Sequence, residues 1–248
     1  MRCPPRDIDI KYFKASQCER GTGEFRKFVA DPDNIKLGER DRLNAISREF
    51  VSLIVPRELA LVGVGIHQED FFKLTRDDSA RAVLGRDPYW LAYHLAMIVC
   101  AACARKLREE DHPPKHPNDY HRVSFVCDES EQYSTLAGEA YKHLKNQNPA
   151  AEKYMATRTD ADEKDLCPLQ AADAIVYEIR RALQISIGMK GGPSREQFGI
   201  LRPRIGVIFN ATEENLRNIV SRNKPGEPID LDAIMDLSIL AEDVHMKI

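Results

Sequence analysis

Residues 58–66 have the sequence ELALVGVGI, which is nearly all apolar and contains several β-branched side chains. Runs of this kind form strands that are buried on both faces of a sheet. We therefore expect this segment to be the central strand of the fold. Residues 122–127, RVSFVC, predict a second strand of the same sheet, and Asp128 stands at its carboxyl end, where open α/β sheets place their ligand sites.

A helix is predicted over residues 168–187, because apolar side chains recur there at the 3.6-residue period and Pro168 suits a first turn. We expect its apolar stripe to pack on the sheet through Leu169, Ala172, Val176, Ile179 and Leu183. Further helices are expected from Asp41, from Asp87, from Glu131, after Asn210, and from Asp230 or Asp232. Further strands are expected over residues 7–13, 154–159 and 205–209. The pattern predicts an α/β fold with a mixed sheet flanked by helices.

The composition is that of a globular protein, since 43% of the 248 residues are hydrophobic and 30% are charged. The apolar run at residues 91–104 is shorter than the roughly 20 residues that cross a bilayer. The first residues lack the apolar region of an export signal, so we expect a cytoplasmic protein with no membrane partner. The six cysteines are scattered, and several lie in apolar runs, which predicts reduced core residues.

The overall charge bears on a nucleic-acid partner. A net charge of −3 does not supply the dense positive field that a constitutive nucleic-acid binder uses. Such a partner would therefore have to be held locally. The acidic balance still fits a nuclease, because metal-binding carboxylates add negative charge.

Acidic residues are the main candidates for chemistry. Asp128 and Glu129 follow the second predicted strand, and Asp173 lies about 80° from the middle of the helical apolar stripe, on the flank that carries Gln170. We expect these acids in buried surroundings at the edge of the core. Glu178 is rotated roughly 140° from Asp173 on a straight helix, so it is a lesser candidate for the same site.

Several segments carry a resemblance to a known family. Residues 167–174 read CPLQAADA and are followed by Tyr177-Glu178 and Arg180-Arg181. The other matching segments are FVCD at residues 125–128, YKHLK at 141–145, FKAS at 13–16 and GEF at 23–25. In these segments the chain resembles the family catalogued as domain of unknown function 3800, over about residues 10–185.

Members of that family look like RNase H-like proteins. The resemblance implies acidic side chains gathered around one or two Mg²⁺ or Mn²⁺ ions, with nucleic acid as the expected partner. It implies that Asp128 and Asp173 are catalytic metal ligands and that Gln170 orients one of them, with Glu129 and Glu178 as lesser candidates. Such ions prefer oxygen ligands and can align the attacking and leaving oxygens of a phosphodiester. We expect the carboxylates of Asp128 and Asp173 to lie close enough to share an ion.

The sequence also departs from the family. Its members usually begin with a strand bearing an Asp-Glu-Ser-Gly-like motif, whereas this sequence starts after that point, which indicates a truncated gene model or a degenerate member. The predicted function is a metal-dependent phosphodiesterase or nuclease, inactive if the first catalytic acid is lost. The alternative is a non-catalytic RNase H-like interaction protein of phage or mobile-element origin. We expect residues 1–190 to form the RNase H-like domain and residues 191–248 an α/β extension packed on it.

Each candidate also has a structural interpretation. Asp128 could cap the helix that follows it, and Asp173 could pair with Arg180 or Arg181. Cys100 and Cys103 have the spacing of a redox or zinc half-site, but they are expected to pack in the core of an apolar helix. The glycines of Gly63-Val-Gly65 indicate a strand kink. The loop histidines are expected to be solvated and are His112, His116 and His121.

Overall fold

The computed structural model describes residues 9–56, 61–110, 122–130, 133–191 and 195–227, together with residues 229, 234, 239 and 240. The chain forms two compact units. The first comprises Met1–Leu61, Ala161–Gly206 and Ala241–Ile248, and the second comprises Val62–Asp160 and Val207–Leu240. The predicted division into residues 1–190 and 191–248 stays a prediction.

The fold is α/β and predominantly helical. The α-helices of the described residues are α1 (Ala15–Arg20), α2 (Leu37–Ser52), α3 (Gln68–Leu74), α4 (Asp78–Leu84), α5 (Pro88–Glu110), α6 (Ser134–Gln147), α7 (Pro149–Glu152), α8 (Cys167–Ser186), α9 (Glu196–Leu201) and α10 (Glu213–Arg222). The strands are β1 (Leu61–Ile66), β2 (Val123–Asp128), β3 (Met155–Ala161), β4 (Ile205–Ala211) and β5 (Ile239–Leu240). Short 3-10 helices cover Gly23–Phe28 and Arg202–Arg204.

The first unit is helical, with α1, α2, α8 and α9 packed against one another. An aromatic group lies in its core, where the Phe13 ring stacks on Phe50 at 4.0 Å between centroids and meets Phe25 edge to face at 5.7 Å. All three rings are buried. Phe13 therefore fixes the chain just before α1 to the apolar face of α2. This helix is the one that the periodicity after Asp41 predicted.

Gly21 ends α1. It has a left-handed conformation with φ of 61°, and its N–H donates to the carbonyl of Cys18. A Cβ at this position would lie 2.8 Å from a methyl group of Val29. Glycine is required here both for the backbone angle and for the close approach of the chain.

The helix predicted over residues 168–187 is α8, and Pro168 lies in its first turn as expected. Its predicted stripe is wrong in part, since Ala172 is exposed and Val176 is 58% exposed. The buried face of α8 is offset around the helix from the predicted stripe and includes positions that the stripe left out. It consists of Leu169, Gln170, Ala174, Ile175, Glu178, Ile179, Ala182 and Leu183.

The second unit contains most of a sheet in which β4 lies between β1 and β5. The N–H of His67, just after β1, donates to the carbonyl of Ala211 at the end of β4, at 3.2 Å, so β1 and β4 run in parallel. β5 is antiparallel to β4, with Val207 opposite Leu240. The segment expected to be the central strand is therefore an outer strand among those described, and β4 takes the middle position.

A separate two-stranded sheet joins β2 and β3. The two strands start side by side, because the N–H of Val123 donates to the carbonyl of Tyr154 at 2.7 Å. They are connected through α6 and α7, as parallel strands require. The prediction that residues 58–66 and 122–127 share one sheet is thus wrong, since β1 and β2 belong to different sheets.

The core of the second unit is built around α5. Its buried side chains include Leu91, Leu95 and Ile98, and they form one cluster with residues of α3, α4, β4 and α10. Asp87 caps the helix as predicted, since its Oδ1 accepts from the N–H of Tyr89 at 2.7 Å. Among the residues that the structure describes, no helix is both long and apolar enough to span a membrane.

The remaining predicted elements have mixed outcomes. The strands expected at residues 154–159 and 205–209 are β3 and β4, and the helix expected after Asn210 is α10. The opening strand is wrong where it can be judged, since residues 9–13 form none. The helix expected from Asp230 or Asp232 lies outside the described residues.

Candidate functional site

The face of α8 that carries the sequence motif binds the chain segment in front of α1. The Oε1 atom of Gln170 accepts from the N–H of Phe13 at 2.9 Å, and the Oδ2 atom of Asp173 accepts from the N–H of Ala15 at 2.7 Å. Gln170 is only 1% exposed, whereas Asp173 is half-buried. The two residues to which the resemblance gives a role at a metal site therefore hold a backbone segment about 157 residues earlier in the chain.

The geometry of both partners explains this contact. Gln170 and Asp173 are three positions apart and project from the same side of a helix. Lys14 is extended, with φ of −133° and ψ of 116°, and in an extended chain alternate N–H groups point the same way. Ala15 is the first residue of α1, and Lys14 supplies no side-chain cap. Asp173 therefore satisfies an N–H that the helix itself leaves without a partner.

The amide nitrogen of Gln170 binds the loop that precedes α8. Its Nε2 donates to the carbonyl of Glu163 at 2.9 Å and to that of Lys164 at 3.4 Å. The buried carboxylate of Glu163 forms an ion pair with Lys14. The buried amide of Gln170 thus has partners for its oxygen and its nitrogen, as a buried polar group requires.

Glu178 lies apart from this contact, on the buried face of α8. It is 3% exposed, and its Oε1 is 3.4 Å from Nη1 of Arg195. Burial raises the pKa of Glu178, while the positive charges of Arg195 and Arg181 act in the opposite direction. Its role in the structure is a buried ion pair with Arg195, and its lower rank as a candidate for the site of Asp173 stays a prediction.

Asp128 is the last residue of β2 and Glu129 follows it, and both are exposed. The expectation of buried surroundings is wrong for this pair, because β2 alternates between half-buried and exposed positions. Capping by Asp128 is also wrong, since α6 begins at Ser134, six positions later. Tyr93 of α5 is near, and its pKa is raised first by burial and then by electrostatic interaction with Cys127 and Asp128.

The structural interpretations of the other candidates are confirmed in some cases and wrong in others. Arg181 pairs with Glu19 at 3.0 Å rather than with Asp173. Cys100 and Cys103 lie on α5, as expected, and burial raises the pKa of Cys100 to about 11. Such a thiol is a poor nucleophile and a poor metal ligand at neutral pH. The histidines at positions 112, 116 and 121 lie outside the described residues.

A histidine pair in the second unit has no counterpart in the sequence predictions. The ring of His94 is 1% exposed, stacks on Trp90 at 4.8 Å, and lies 5.2 Å from the ring of His143. Within the described part of the chain, neither ring nitrogen of His94 has a hydrogen bond of normal geometry. Burial, followed by the effect of His143, lowers the pKa of His94 to about 3, while the Ala140 carbonyl acts in the opposite sense.

The predicted metal ligands belong to different units, with Asp173 in the first and Asp128 in the second. Their sharing of one ion stays a prediction. Within the described residues, no group of three or more His, Cys, Asp or Glu side chains is arranged to hold a metal ion.

Sequence reasoning missed Lys14 and Glu163, which complete the contact around Gln170. The sequence contains only a weak signal for this pair. Lys14 lies in the matching segment FKAS, and Glu163 lies in an acidic loop before α8. Nothing in their spacing indicates that a lysine and a glutamate 149 positions apart form a pair.

Comparison with protein-family models, with curated proteins and with solved structures finds no match to this chain. The resemblance therefore depends on the motif segments alone.

Proposed function

We propose that the chain is an RNase H-like, metal-dependent phosphodiesterase that acts on nucleic acid. The observation that supports this proposal is the contact between two segments that carry the family resemblance. Residues 13–16 and 167–174 lie at opposite ends of the matching region, and they meet through Gln170 and Asp173. The meeting of these two segments supports the proposal that they act together in one site.

The side chains present suit a hard divalent cation. Asp173 and Asp128 offer carboxylate oxygens, which Mg²⁺ and Mn²⁺ prefer. When bound, such an ion polarises the phosphodiester and lowers the pKa of an attacking water. The part of the chain itself would be to orient Asp173, through the Ala15 N–H and the rigid packing of Gln170 beside it.

A second candidate is a non-catalytic interaction protein, of phage or mobile-element origin. The same contact favours this candidate, because its hydrogen bonds join parts of the protein to one another. Oδ2 of Asp173 and the whole amide of Gln170 serve backbone groups of the protein. Both residues therefore have a structural task that would preserve them in a protein that no longer hydrolyses anything.

The variant Asp173→Asn distinguishes between these two candidate functions. An asparagine oxygen can still accept from the Ala15 N–H, so the variant should keep the melting temperature of the wild-type chain to within a few degrees. Loss of the negative charge should weaken metal binding and reduce Mn²⁺-dependent cleavage by about 10- to 100-fold. The assay uses the full chain with single-stranded DNA, RNA and an RNA–DNA hybrid, and measures initial cleavage rates.

Asp165→Asn is the matched control, because Asp165 is an exposed acid of the same unit and lies just before α8. We expect it to leave the rate unchanged. Asp128→Asn should lower the rate as Asp173→Asn does. The enzyme proposal fails if the wild-type chain cleaves none of the three substrates with Mn²⁺ or Mg²⁺, and the non-catalytic candidate is then favoured.

A further inference from the structure

The first unit contains a cavity of about 830 Å³. Its wall is formed by α1 with the residues just after it, the turn around Asp33, α2 and the second half of α8, together with Met189, Lys190 and Arg195. The volume is in the range of cavities that hold small-molecule ligands, roughly 300–1,000 Å³. The cavity involves neither Gln170 nor Asp173.

Positive charge dominates this cavity. Six cationic and two acidic side chains line it, an excess of four positive charges in a protein whose net charge is −3. The two acids are Glu19 and Asp33. The cations are Arg20, Arg40, Arg180, Arg181, Lys190 and Arg195. Like charges that line one cavity repel one another, so an anion with several charges would stabilise the arrangement.

Three of the arginines are held in place by neighbouring groups. Arg181 pairs with Glu19 at 3.0 Å, and Arg40 donates to the backbone carbonyl of Glu19. Arg195 pairs with the buried Glu178 at 3.4 Å and donates to Oδ1 of Asn44 at 3.2 Å. Because their side chains are already ordered, these guanidinium groups lose little entropy when they bind a ligand.

The other three cations are differently placed. Arg20, Arg180 and Lys190 are exposed, and none of their side chains forms an ion pair or hydrogen bond with any residue that the structure describes. Their charges are therefore available to a ligand. Guanidinium groups bind phosphate through two parallel hydrogen bonds, which makes phosphate the best match for an arginine-rich wall.

The lining of the cavity also includes less polar side chains. Tyr177, Ile35 and Met189 lie among the lining residues. The guanidinium of Arg195 lies 5.9 Å from the centre of the Tyr177 ring. This surface could contact a sugar or a base attached to the phosphates.

We propose that this cavity binds a ligand with two or more phosphate groups, either a free polyphosphate compound such as a nucleotide or the phosphorylated end of a nucleic acid. The site goes beyond the proposed hydrolysis, because it depends on neither Asp128 nor Asp173 and needs no metal. Glu178, which the sequence indicated as a lesser metal ligand, positions Arg195 for this site.

The test is isothermal titration calorimetry of the full chain in buffer with EDTA, so that metal-dependent hydrolysis plays no part. The probes are inorganic triphosphate, ATP, and one oligonucleotide with a 5′-phosphate or a 5′-hydroxyl. We expect triphosphate to bind, with an affinity that falls as salt is raised. In Arg180→Ala/Lys190→Ala, the dissociation constant for triphosphate should rise by about tenfold or more, because two charged partners are lost.

The matched control is Arg86→Ala/Lys142→Ala, which removes an exposed arginine and an exposed lysine of the second unit. It should bind triphosphate as the wild-type chain does. Preference for triphosphate and ATP over both oligonucleotides assigns the site to free polyphosphates, and preference for the 5′-phosphorylated oligonucleotide assigns it to nucleic-acid ends. Absence of binding by all probes, or equal weakening in the control pair, overturns the proposal.

Discussion

At the scale of single residues, three buried polar side chains avoid the cost of burial in three ways. Gln170 has hydrogen-bond partners for both ends of its amide, and Glu178 pairs with Arg195. His94 instead stays neutral among aromatic rings. A buried histidine that cannot take up a proton makes the stability of the fold depend on pH.

The pH dependence from His94 has a defined sign. The unfolded chain protonates this histidine near its ordinary pKa of 6.5, whereas the folded chain does so only at about 3. Between these values the unfolded state binds more protons, so the free energy of unfolding falls as the pH falls. The contribution of His94 is fully present above the ordinary pKa and is lost progressively below it.

His94→Phe keeps a ring beside Trp90 and removes the titrating group. We expect the free energy of unfolding of the variant relative to wild type to be constant above about pH 7 and to shift in favour of the variant at lower pH, by on the order of 1.4 kcal/mol per pH unit. Urea titrations at a series of pH values measure this. His143→Phe is the control with a smaller expected slope, since His143 is less buried. A difference that stays flat down to about pH 5 would contradict the assignment.

At the scale of secondary structure, the orientation of α8 is the main difference from the sequence prediction. The predicted stripe assumed that all apolar positions face inward. In the structure the inward face also takes up Gln170 and Glu178, because the segment at Phe13–Ala15 and the cation of Arg195 give these polar groups partners. Ala172 and Val176 are left outside. Periodicity locates a helix, but it does not show which polar residues will find a buried partner.

Ile175 and Val176 test this orientation as neighbours of similar chemistry. Ile175 is 8% exposed and Val176 is 58% exposed. We expect Ile175→Ala to lower the free energy of unfolding by about 2–4 kcal/mol, because it leaves a cavity in the core. Val176→Ala should change it by about 0.5 kcal/mol or less. Thermal or urea unfolding of both variants measures the difference in their free energies of unfolding. A larger loss in Val176→Ala than in Ile175→Ala would support the predicted stripe instead.

Other elements were predictable where local signals were strong. The start of α5 was readable from Asp87-Pro88, since an acceptor side chain before a proline marks a first turn. The helices α3, α4 and α9 were not predicted, because each has six or seven residues and too few turns to show periodicity. The position of β1 within its sheet was also beyond local signals, since it depends on which strand pairs beside it.

At the scale of the whole molecule, the chain passes four times between the two units, near residues 61, 160, 206 and 240. A division of this kind cannot be read from composition, because no linker or change of residue type marks the crossings. The candidate site shows the same limit. Asp173 was identified from the motif, but its partner Ala15 and the arginines of the cavity come together only through tertiary packing.

The interleaved units predict the outcome of cutting the chain where a domain boundary was expected. Ending the protein at residue 190 removes α9 of the first unit, together with β4, β5 and α10. The core of the second unit then loses Val207, Phe209, Leu216 and Ile219. Burial of four such side chains contributes about 6–12 kcal/mol, which is as large as the whole stability of a typical domain, about 5–15 kcal/mol.

We therefore expect the chain of residues 1–190 to lack a cooperative unfolding transition, since the second unit can no longer form its core around α5. Circular dichroism in the near ultraviolet during heating measures this. The control is the chain of residues 1–240, which retains every buried side chain of the described structure and should unfold cooperatively. If residues 1–190 unfold in a single sharp transition near that of the control, β4 and α10 are dispensable, and the boundary expected at residue 190 is a real domain boundary.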